Sequence, residues 1–215
     1  VNPKDNISKF EVLYKYDDLQ NGANINSLTL KYDKALNKEW GVNVEAPIVY
    51  YQEFGLEDAG LGDIQARLRY GKSFGQFALL AGAELVVPTA SKDTLGRGKW
   101  QANPVVGAVY AFSPTVFAFA GYKHFWSFAG DDDRVAVNES QPRLIMAYTD
   151  PQGWWLLGDV KYTKSWETPR PEVVDTEVEI GQMLGRSTGV WIRGGTSFLD
   201  TSREFGINLG IRQIF

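Results

Sequence analysis

At 215 residues the chain could form one domain or two, and all-β barrels of this length commonly form one, so 1–215 is read as a single domain. Twenty-two basic residues against 26 acidic ones leave a formal net charge of −4 with no basic cluster, which speaks against a nucleic-acid binder. Cysteine is absent, which excludes disulfides, thiolate metal sites and thiol nucleophiles, and no apolar run approaches the roughly 18 residues of a membrane helix.

The opening VNPKDNISKF lacks the apolar stretch of a signal peptide, so either none existed or it has been removed. Beyond it no helical spacing of apolar residues appears, and period two dominates. Twelve alternating segments follow in chain order: 7–16, 25–36, 40–52, 61–73, 76–88, 100–112, 115–127, 140–150, 154–166, 176–185, 189–198 and 205–215. In the first, Phe10, Val12, Tyr14 and Tyr16 alternate with Glu11 and Lys15. In the fourth, Ile64, Ala66, Leu68 and Tyr70 alternate with Asp63, Gln65, Arg67 and Arg69. The ninth sets Leu156, Gly158, Val160 and Tyr162 against Asp159, Lys161 and Thr163, and the tenth sets Val178 and Ile180 against Glu177 and Glu179. The last carries Phe205, Ile207, Leu209, Ile211, Gln213 and Phe215 on one face.

Each segment has 10 to 13 residues. Ordinary strands run about five or six, whereas a tilted membrane-spanning strand needs about 9–11. The connections are sorted too. NKE, FG, SP, PQG and RST follow even-numbered segments, and links of six to twelve residues follow odd-numbered ones. Short periplasmic turns and longer extracellular loops are the habit of outer-membrane barrels.

Parity alone does not say which face points inward, since a soluble barrel buries the apolar set and a membrane barrel turns it to lipid. Tryptophan placement decides: Trp40, Trp100, Trp126, Trp154, Trp155 and Trp166, six of the seven, fall within one residue of a segment end. Phe74, Phe77, Phe112 and Phe215 join them at the short-turn end, and Tyr50, Tyr51, Phe54, Phe125, Phe128 and Phe205 at the long-loop end. Two such girdles belong at the two headgroup layers of a bilayer. The expected fold is all-β: a 12-stranded antiparallel transmembrane barrel in the bacterial outer membrane.

That arrangement turns Glu11, Lys15, Lys31, Asp33, Glu45, Asp63, Arg67, Arg69, Glu84, Arg143, Asp159, Lys161, Glu177, Glu179, Arg193 and Arg212 inward, eight acidic and eight basic. Charges held at a protein interior persist when paired or hydrated, so ladders of ion pairs around a narrow wet passage are expected. A diffusion pore filtered by those charges and a salt-bridged plug both satisfy this pattern. If Lys123 points inward, then Phe117, Phe119 and Phe125 do too, giving the lumen an apolar strip or a packing surface for an inward loop. The residues expected to line the passage are Glu45, Asp63, Arg67, Arg69, Glu84, Lys123, Arg143, Asp159, Lys161, Glu179 and Arg193.

Chemistry is the competing class. His124 is the single histidine, and Ser127 three residues on would point to the opposite face of a strand, a poor nucleophile–base pair, so no catalytic residue is assigned. GDDDR at 130–134 has clustered carboxylates suited to a divalent cation or a lipopolysaccharide bridge but lacks EF-hand spacing, and a solvated loop explains it better; no metal or cofactor is assigned. GLGDIQ at 60–65 and LGRGKW at 95–100 are followed by no helix, and read as hairpin ends.

GLGDIQARLRY at 60–70 and ELVVPTASKDTLGRGKWQANPVVGAVYAF at 84–112 resemble the outer-membrane family named for the meta-pathway of phenol degradation. The shared residues are Gly60, Leu61, Gly62 and Asp63, then Pro88 and Thr89, then Leu95, Gly96, Gly98, Lys99 and Trp100. The resemblance implies a transmembrane barrel that moves aromatic or other hydrophobic compounds; it carries no catalytic residues over. The aromatic end at Phe215 also resembles the signal by which outer-membrane proteins are recognised for insertion, implying the barrel-assembly machinery as a partner. Outer-membrane lipid, lipopolysaccharide and a small-molecule solute complete the expected partners. A porin-like channel for passive diffusion is the expected function, with a closed structural or lipopolysaccharide-contacting barrel and a lipid-modifying enzyme as alternatives.

Overall fold

The computed structural model describes residues 6–201 and 203–215, the side chain of Asn21 apart; the leading residues 1–5, and Ser202 in the last long link, lie outside them. The strands are β1 (Lys9–Leu19), β2 (Asn24–Ala35), β3 (Trp40–Glu53), β4 (Leu56–Leu61), β5 (Ile64–Phe74), β6 (Phe77–Val87), β7 (Lys99–Ala111), β8 (Val116–Gly130), β9 (Asn138–Thr149), β10 (Trp154–Ser165), β11 (Glu172–Leu184), β12 (Thr188–Leu199) and β13 (Arg203–Ile214). The only helical pieces among the described residues are single 3-10 turns at Gln20–Gly22 and Asp93–Leu95.

Chain neighbours pair antiparallel, and β1 pairs with β13, Lys9 opposite Ile214 and Tyr14 opposite Leu209, so the sheet closes on itself. β4 and β5 lie end to end beside β3, β4 against residues 48–53 and β5 against 40–45. They are two halves of one stave, so thirteen strands make a 12-stranded cylinder. Closure leaves no sheet edge in the cylinder below β4, which pairs with β3 alone, and a bilayer demands this because lipid cannot satisfy free backbone groups.

The register settles which face is which. Glu11 of β1 stands opposite Lys31 of β2 and Arg212 of β13, and Lys31 stands opposite Glu45 of β3. All of this set points to the lumen, where Glu11, Asp33, Glu45, Glu84, Asp159, Glu177, Glu179 and Arg212 are buried. The alternate set, including Leu28, Leu30, Val44, Leu68, Leu144, Val160, Val178, Ile180, Ile192 and Leu209, is exposed on the outside. An apolar exterior this extensive is a lipid-facing surface. Rings flank it: Trp40 meets Tyr70 and Tyr148 meets Trp154 at the short-turn end, and Trp126 meets Phe128 at the other.

Three aromatic assignments need correction. Trp155 is buried inside the barrel rather than standing in a girdle, and Phe125 and Tyr51 also share the inward face. Trp154 and Trp155 are consecutive, so on a strand they must part company. The loops also differ from expectation. The strands run past the apolar band, so the first long link shrinks to residues 20–23 and the second to the turn 54–55, with LEDAGL paired as β4. Polar strand ends in headgroup and solvent need no alternation, which is why periodicity missed them.

Candidate functional site: the barrel lumen

Each lumenal charge is placed by the strand that carries it and held by its neighbours. On β5 and β6, Arg67 grips Glu84 through two guanidinium nitrogens, Lys123 of β8 donates to the other Glu84 oxygen, and buried Asn103 of β7 donates to it at 3.0 Å. Arg69 reaches Asp33 at 2.7 Å, and Lys31 and Gln65 meet at Glu45. Across the lumen Arg143 of β9 clasps Asp159 of β10, while Arg193 of β12 touches Asp159, Glu177 and Glu179, the last by Nε at 2.9 Å. Lys161 approaches Glu177 at 3.5 Å.

The predicted lining residues therefore meet in two runs, Glu45 and Arg67–Glu84–Lys123 on one wall and Arg143–Asp159–Arg193–Glu179 with Lys161 on the other. Ion pairs missed by periodicity connect the second run to β1: Arg203 binds Asp17 at 2.7 Å, Glu177 at 3.1 Å and Asp175 at 3.4 Å, and Lys9 binds Glu11 at 2.9 Å. Asp17 and Arg203 sit just beyond the segments, in expected loops, whereas Lys9 lies within the first segment, on the same face as Glu11. Their opposite charges across neighbouring strands were the available signal.

Asp63 is the predicted residue with a different task. Its carboxylate accepts the backbone N–H of Ala90 at 3.2 Å and of Arg97 at 2.7 Å, holding the loop 88–98. Thr89 donates to the Gly62 carbonyl and accepts the Ile64 N–H, both at 2.9 Å, and Ser91 N–H donates to the Leu61 carbonyl at 2.9 Å. Lys92 and Thr94 both bind Asp58, which with Gly60 lies on the inward face of β4 opposite Tyr51 and Val49. The loop is thus folded inside the extracellular mouth, with Leu95 buried. Arg97 reaches Glu139 of β9 at 2.8 Å, and Arg134 donates to the carbonyls of Gly96 and Asp93 at 2.6 and 2.8 Å, clipping two loops together. The Gly-rich stretches flank this fold: GLGD forms the β4–β5 joint and LGRGKW the return into β7.

Toward the short-turn end the lumen is aromatic. The Arg212 guanidinium lies 5.0 Å from the Trp155 ring centroid and 4.4 Å from that of Trp191, and Trp155 Nε1 donates to Glu179 at 2.7 Å. The two indoles rest flat on Gly181 and Gly210, where a Cβ would fall inside the ring, so the glycines let the rings lie along the wall instead of across the passage. Phe117 and Phe119 of β8 face inward opposite Ala147 and Ile145 of β9, as expected once Lys123 binds Glu84.

His124 lies on the lipid-facing side of β8, opposite Ser140, while Ser127 shares the inward face with Gln101. Among the described residues none hydrogen-bonds to the His124 Nδ1. Among the described residues no three carboxylate or histidine groups converge to hold a metal; in the GDDDR loop the Asp131 carboxylate instead accepts the Asp133 N–H at 3.1 Å.

No family model matches the chain, and no curated protein does. Among solved structures it is similar to the COG4313 outer membrane channel from Pseudomonas putida F1, at 16% identity and TM-score 0.79 over 100% of both chains. It is similar to the NanC porin, at 10% identity and TM-score 0.74 over 95% of this chain and 98% of that one. The KdgM porin follows, at 10% identity and TM-score 0.68, covering 96% and 99%. These likenesses show the fold. The chain is an outer-membrane-type β-barrel.

Proposed function

We propose that this barrel is a passive pore of the bacterial outer membrane for small solutes, aromatic or hydrophobic ones among them. The observation that carries the reading is the lumen itself: its wall is built from ion pairs whose cationic ends reach solvent, beside an inward strip of aromatic rings, where a barrel sealed by packing would fill that space with interlocking apolar side chains. The likeness in fold to channels and porins supports it, as does the resemblance of 60–70 and 84–112 to the phenol meta-pathway family, of which we take the chain to be a relative. Lipid and lipopolysaccharide around the apolar band, and recognition by the assembly machinery at Phe215, belong to the same reading. Filtering is electrostatic and steric, and no catalytic step enters.

A second reading, a closed structural barrel, has its own support in the inward-folded loop 88–98 and the density of pairing. Liposome swelling with phenol-like, sugar and amino-acid solutes separates the two. Solute-dependent swelling supports the pore, and no swelling with any of the three, joined to no conductance in planar bilayers, supports the closed barrel.

A further inference from the structure

Opposite charges nearly balance along the lumen by number, but not by depth. The Glu84 carboxylate is 1% exposed and that of Asp159 0%, whereas their partners Arg67 and Arg143 are 29% and 34% exposed. The same order holds for Asp33 under Arg69 and for Glu179 under Arg193. The cause is side-chain length and donor geometry. Short carboxylates are pinned to the wall by several donors at once, and long basic side chains rise over them and keep their charged ends in water. Each of these four pairs becomes a dipole standing on the wall with its positive end toward the axis, whereas Arg212 lies deeper than Glu11 and Arg203 deeper than Asp175. A passing ion meets the near charge first, so a formally balanced lumen presents a positive surface.

The apolar strip breaks this belt on one side. Phe117 and Phe119 lie on β8, and Ile145 and Leu157 face inward beside them on β9 and β10. Cations border it closely: Lys123 stands 4.4 Å from the Phe125 ring centroid, and Arg143 lies opposite Gly121, two residues from Phe119. A solute that satisfies both surfaces carries an anionic group and a flat apolar body.

We propose that the lumen is anion-selective and that its preferred solutes are aromatic carboxylates. This rests on the pore reading above and narrows it to a charge sign and a shape.

The test uses the full chain reconstituted in planar bilayers under a tenfold KCl gradient at low ionic strength. Heat-modifiable migration verifies folding of each variant. The expected chloride-over-potassium permeability ratio exceeds about threefold, and falls at least twofold in Arg67→Gln and in Arg143→Gln, which keep the wall carboxylates in place. Benzoate added to one side should retard the chloride current more than equal acetate, and benzylammonium should not. A conducting channel with a ratio at or below one overturns the charge assignment and leaves the pore standing. Equal effects of benzoate and acetate overturn the aromatic half. A folded protein that carries no current overturns the pore reading, and this proposal with it.

Discussion

Glu84→Gln removes the charge at the centre of one wall, and its consequences can be worked from the contacts. Glu84 takes two guanidinium nitrogens from Arg67, one ammonium from Lys123 and one amide from Asn103. Breaking a fully buried charge pair by deleting one partner costs about 3–5 kcal/mol. Arg67 and Lys123 are 29% and 18% exposed, so lumenal water takes over part of their solvation. The loss should therefore be about 2–3 kcal/mol, with glutamine still able to accept from Asn103. Conduction should change in the opposite sense to stability. Two cations then stand without their countercharge, and removing one negative charge at about 5 Å from a passing anion is worth roughly 0.8 kcal/mol in water, about a fourfold rise in anion preference. The assay pairs urea unfolding in lipid vesicles with reversal potentials at low salt, where screening is weakest. An unchanged unfolding midpoint, or an anion preference that falls, would refute the wall-and-axis ordering of charge.

Further outcomes follow from other parts of the barrel. Gly210→Val places a side chain inside the Trp191 ring, so the indole must swing into the passage; single-channel conductance should drop, with a stability loss of about 1–3 kcal/mol from overpacking. Ile180→Arg on the lipid face should cost about 2–4 kcal/mol near the bilayer midplane, while Gln141→Arg, inward on β9 opposite Lys123, should cost far less in the same unfolding assay. Asp63→Ala deletes the acceptor of two backbone N–H groups, so the loop 88–98 should be cleaved faster by trypsin at Lys92 or Arg97, and open-channel current noise should rise.

Much of this architecture was legible in the residues because a membrane barrel imposes one strict rule, alternation, over every spanning stretch. Arg67 and Arg69 beside Leu68, or Asp159 and Lys161 beside Val160, can be sorted by parity alone, and the register confirms each of them. Where the chain leaves the apolar band the rule lapses, and β4, the outer end of β1 and Arg203 lie outside the alternating segments. Trp155 and Trp191 escaped for another reason. Parity with Asp159 and Arg193 turns both inward, but that their rings lie along the wall depends on Gly181 and Gly210 across the neighbouring strands, a pairing that local sequence does not display. Asp63 falls on the expected inward face, but parity does not separate a carboxylate that caps a loop from one that pairs with arginine. The radial layering of charge was invisible in a count of acids and bases; it arises from side-chain reach and from several donors converging on each carboxylate.

The absence of native cysteine makes the orientation of the wall directly measurable. Single cysteines at Leu144, Leu156 and Val160, and at Arg143, Lys161 and Thr163, can be exposed to a charged, membrane-impermeant thiol reagent while current through the reconstituted barrel is recorded. Reaction at 143, 161 and 163 with a fall in current, and no reaction at 144, 156 and 160, is the predicted result. Modification at 144, 156 and 160 with 143, 161 and 163 protected would contradict the account at its root.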